Sequence, residues 1–153
     1  MGNDQDVGLS PAQANALHRL TGIMIPADSA YGVPAANDPT ILADIVASLG
    51  RDRSAVIAAL ATLDTLGSAP FNDLPETEAE TVATAFLASG SPLVMALSRA
   101  VLQCYYRDDR VLVSLGHEAR APFPKGNVVE QGDWSLLDAV RNRSPFWRDD
   151  RSA

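Results

Sequence analysis

The residues able to do chemistry in this chain are few. They comprise two histidines, His18 and His117, one cysteine, Cys104, a carboxylate pair at Glu76 and Glu80, and a run of alternating charge, Arg107-Asp108-Asp109-Arg110. A zinc site needs several convergent nitrogen, sulfur or carboxylate ligands, and no spacing around either histidine supplies them. Cys104 keeps helical register with Leu97 and Val101, the place of a small core residue rather than a reactive thiol. Glu76 and Glu80 are four apart on one helix face and resemble an acid/base pair. The positive end of a helix macrodipole accounts for them more simply. His18 is expected on a helix surface, because Leu17 and Leu20 beside it define the buried stripe.

The charge run has two readings. In one, it is a capped helix start with local ion pairs. In the other, Arg107 or Arg110 grips a carboxylate of the C-terminal arm or of a partner in a two-pronged contact. The ten glycines form neither a G-x-G-x-x-G fingerprint nor a P-loop, and no G-x-S-x-G elbow is present.

The elements that would position these residues are helices. Ser10 before Pro11 starts the first, over about 11–24, with Leu17, Leu20, Ile23 and Met24 on its inner face and Pro26 beyond its end. Asp38-Pro39 repeats the signal for a second over about 39–49, stopped by Gly50. Asp52 is expected to cap a third, with Val56, Leu60 and Leu63 aligned and Gly67 closing it. A fourth runs from the glutamates to about Ser89. Ser91-Pro92 starts a fifth, so apolar as far as Tyr106 that it is expected at the bundle centre, touched by the other four. A short sixth follows from about Asp109 to Leu115, capped by Asp108 and ended by Gly116.

The expectation is therefore an all-α protein, a compact bundle of about five helices plus a short sixth over 1–116, followed by a long irregular arm over 117–153. Pro122, Pro124 and Pro145 interrupt the arm, and only Trp134 to Val140 can make a helical turn or two. It nevertheless holds Phe123, Trp134, Phe146 and Trp147, an aromatic content foreign to disordered linkers. Burying those rings offsets only part of the backbone entropy of ordering so long a segment, so the arm needs an extended contact surface. A partner surface suits this better than the arm's own bundle.

Charge separates the two parts. Residues 1–106 carry four arginines against eleven acidic groups, whereas residues 107–153 carry eight of each sign, which yields the net charge of −7. An acidic body disfavours nucleic acid. No apolar stretch is long enough to span a bilayer, and the acidic N-terminus is unlike a secretory signal, so no direct membrane insertion is expected.

Several segments resemble the gluconate 2-dehydrogenase subunit 3 family. They are Ile25-Pro26-Ala27-Asp28 after the first helix, Cys104-Tyr105-Tyr106-Arg107-Asp108-Asp109-Arg110-Val111 running into Leu115-Gly116, and the tail pieces Phe123-Pro124-Lys125-Gly126 and Glu130-Gln131-Gly132-Asp133-Trp134-Ser135-Leu136-Leu137. The resemblance implies an all-helical, chaperone-like small subunit without an active site. Its partner would be the large subunit of a flavin-dependent dehydrogenase of the glucose-methanol-choline type, and FAD would reside there, with no cofactor in this chain. The partner-facing residues would be Phe123, Trp134, Phe146 and Trp147, with Arg107, Arg110 and Tyr106 at the junction. Many members carry a twin-arginine signal. No Arg-Arg pair precedes residue 19 here, so the expectation is a cytoplasmic complex, the alternatives being a periplasmic one exported with a partner that carries the signal, or a signal already removed. The alternative is a stand-alone enzyme or ligand-binding helical protein whose arm folds over a cleft.

Overall fold

A computed structural model describes residues 8–120, 126 and 130–144. The protein is all-α. Its helices are α1 (Pro11–Met24), α2 (Pro39–Ser48), α3 (Arg53–Leu63), α4 (Glu76–Ala88), α5 (Pro92–Tyr105), α6 (Asp109–Ser114) and α7 (Asp138–Arg141). Short 3-10 turns occupy Gly50–Asp52, Phe71–Asp73 and Trp134–Leu137. Among the described residues no helix is long and apolar enough to cross a membrane by itself.

The starts follow from side-chain chemistry. Ser10 Oγ accepts the Gln13 amide at 3.2 Å while Gln13 Oε1 accepts the Ser10 amide at 2.9 Å, a reciprocal capping box. Asp38, Ser91 and Asp108 accept the amides of Thr40, Val94 and Arg110 at 3.0, 3.3 and 3.0 Å. Where the chain leaves α6, Gly116 takes φ 78°, and the amides of His117 and Gly116 donate to the carbonyls of Leu112 and Val113, both at 3.0 Å. This paired closure uses a backbone region that suits glycine.

The chain divides into two compact units, Met1–Ala119 and Arg120–Ala153. His117, which opens the expected arm, is hydrogen-bonded into the end of α6. The core of the first unit is built from Leu17 and Leu20 of α1, Ile41 and Ile45 of α2, Leu60 and Leu63 of α3, Leu97 and Val101 of α5, and Phe71. Phe71 lies in a segment that reads as loop, yet it is completely buried.

α5 packs chiefly on α2 and α3, and α3 also meets α1 and α4. α5 buries Val94, Leu97, Val101, Cys104 and Tyr105 along its length, while Met95 and Leu102 stay on the surface. Two expectations are corrected. Asp52 does not cap α3 with its side chain, which instead binds Arg99 of α5 at 2.8 Å. Gly67 is not the stop of α3, which ends at Leu63. A Cβ at Gly67 would fall 2.6 Å from Leu74 Cδ1, so its lack of a side chain serves loop packing.

Candidate functional site

The charge run Arg107-Asp108-Asp109-Arg110 leads from the end of α5 into the first turn of α6, facing α2. Arg107 makes a two-pronged contact with Asp44, its Nε donating to Oδ2 at 2.6 Å and its Nη2 to Oδ1, and it also reaches Ser48. Arg110 holds two carboxylates. It donates to Asp38 at 3.0 and 2.8 Å and to Asp108 twice at 2.9 Å. Both arginines thus make the two-pronged contact that their type favours, and the carboxylates belong to their own bundle.

Because Asp38 caps α2 and Asp108 caps α6, one guanidinium ties two helix starts together. Hydrogen bonding from Arg110 holds the Asp38 carboxyl down at about 2, against an ordinary 3.8, and lowers Asp108 as well. Arg107 does the same to Asp44. Cys104 is buried beside this cluster, and desolvation raises its thiol pKa, an inert rather than a nucleophilic setting. Tyr106 is 52% exposed, its ring edge-on to Tyr105 with centroids 5.3 Å apart, and the Tyr105 hydroxyl donates to the Pro34 carbonyl at 3.2 Å.

In the second unit, Asp133 Oδ1 accepts both the amide and the hydroxyl of Ser135, at 3.0 and 2.6 Å, which starts the Trp134–Leu137 turn. The Trp134 indole donates to Gln131 Oε1 at 3.2 Å. Trp134, Leu136 and Val140 remain 59%, 76% and 56% exposed. Phe123, Phe146 and Trp147 lie outside the described residues.

Two features were not anticipated from the sequence. Arg19 donates to the carbonyls of Phe71, Asn72 and Leu74 at 2.6, 3.2 and 2.6 Å and lies over the Phe71 ring, 5.4 Å from its centroid. It thereby fixes the segment ahead of α4. The second is a groove of about 750 Å³ between α1, α4 and the connection after α1, which brings His18, Glu76 and Glu80 together. No local pattern could have shown this, since the three lie on helices distant in sequence. No family model, curated protein or solved structure matches the chain.

Proposed function

We propose that the chain is a non-catalytic small subunit that binds and stabilises the large catalytic subunit of an FAD-dependent sugar or alcohol dehydrogenase, assisting its folding and flavin loading. The observation that carries an interaction role is the set of apolar side chains left in water by the second unit, Trp134, Leu136 and Val140. Clustered exposed apolar groups with a tryptophan among them are the usual anchors of protein interfaces. Met95, Leu102 and Tyr106, at helical spacing along α5, offer a further apolar row on the bundle. The choice of a flavoprotein as partner rests on the resemblance of the Ile25–Asp28, Cys104–Val111 and Glu130–Leu137 segments.

Co-expression tests this reading. The large subunit produced with this chain should be soluble and flavin-loaded, and produced alone it should be largely insoluble or flavin-free. Equal flavin-loaded yield in both cases rejects the proposal. Deleting residues 117–153 should abolish co-purification.

A further inference from the structure

We draw no further inference here: the strongest candidate, the apolar groove of about 410 Å³ between the end of α3 and α4 lined by Leu66, Val82, Ala85 and Phe86, is an unpartnered apolar face, and nothing in the structure shows what covers it.

Discussion

Replacing Arg110 by methionine keeps an unbranched apolar stem and removes a guanidinium that donates four hydrogen bonds, two to Asp38 and two to Asp108. Arg110 is about half exposed, at 46%, so each pair is screened and is worth about 0.2–1 kcal/mol. Two such pairs suggest a loss of about 0.4–2 kcal/mol at neutral pH, or about 1–8 °C in Tm for a chain of this size. The pH dependence carries the diagnosis. A carboxyl whose pKa is lower folded than unfolded stabilises the fold above its unfolded value, and that stabilisation fades as pH falls through the folded value. For Asp38 the window runs from 3.8 down to about 2. The Tm gap between wild type and Arg110→Met should therefore be full at neutral pH and narrow as acid protonates Asp38. Carbon-detected NMR of the Asp38 carboxyl should move its midpoint from about 2 back toward 3.8 in the variant. A midpoint still near 2 in Arg110→Met, or no Tm gap at neutral pH, would refute the reasoning.

Phe71→Ala removes a fully buried ring that also lies beneath Arg19, and should cost about 3–5 kcal/mol in urea denaturation. A cost under about 1 kcal/mol would mean that Phe71 is not part of the core. Gly90 has φ 57° at the bend where α4 turns through 106° into α5, so Gly90→Ala should cost about 1–2 kcal/mol although nothing stands within 4 Å of the added carbon. An unchanged melting curve would contradict the left-handed geometry. Trp134→Ala should leave the unfolding free energy within about 0.5 kcal/mol of wild type yet weaken partner capture by about 2 kcal/mol or more. Undiminished capture by the variant, measured by co-purification or calorimetry, would remove Trp134 from the interface.

Local chemistry made much of this fold legible in the sequence. Ser10-Pro11, Asp38-Pro39, Ser91-Pro92 and Asp108 mark helix starts because a short polar side chain accepts a neighbouring amide, an interaction complete within a few residues. Gly50 and Gly116 end helices at φ 43° and 78° for an equally local reason. The buried stripe of α1 and the burial of Cys104 follow from helical periodicity alone.

What the sequence could not decide are facts about neighbours. The apolar run of α5 gives its hydrophobicity but not which helices cover it, and the packing makes α2 and α3 its chief neighbours. Asp52 has the right type and place for a cap, but Arg99, 47 residues later, claims its carboxylate. Phe71 sits among loop residues, and only the assembled bundle supplies the apolar walls that bury it. Arg107 and Arg110 announce two-pronged contacts by their chemistry, and the tertiary fold selects Asp44 and Asp38 as the carboxylates they grip. His18, Glu76 and Glu80 each have an ordinary explanation on their own helix, and only the packing of α1 beside α4 makes them walls of one groove. Caps and periodicity are set within a turn or two of chain, whereas a pairing between distant side chains exists only once the helices have packed.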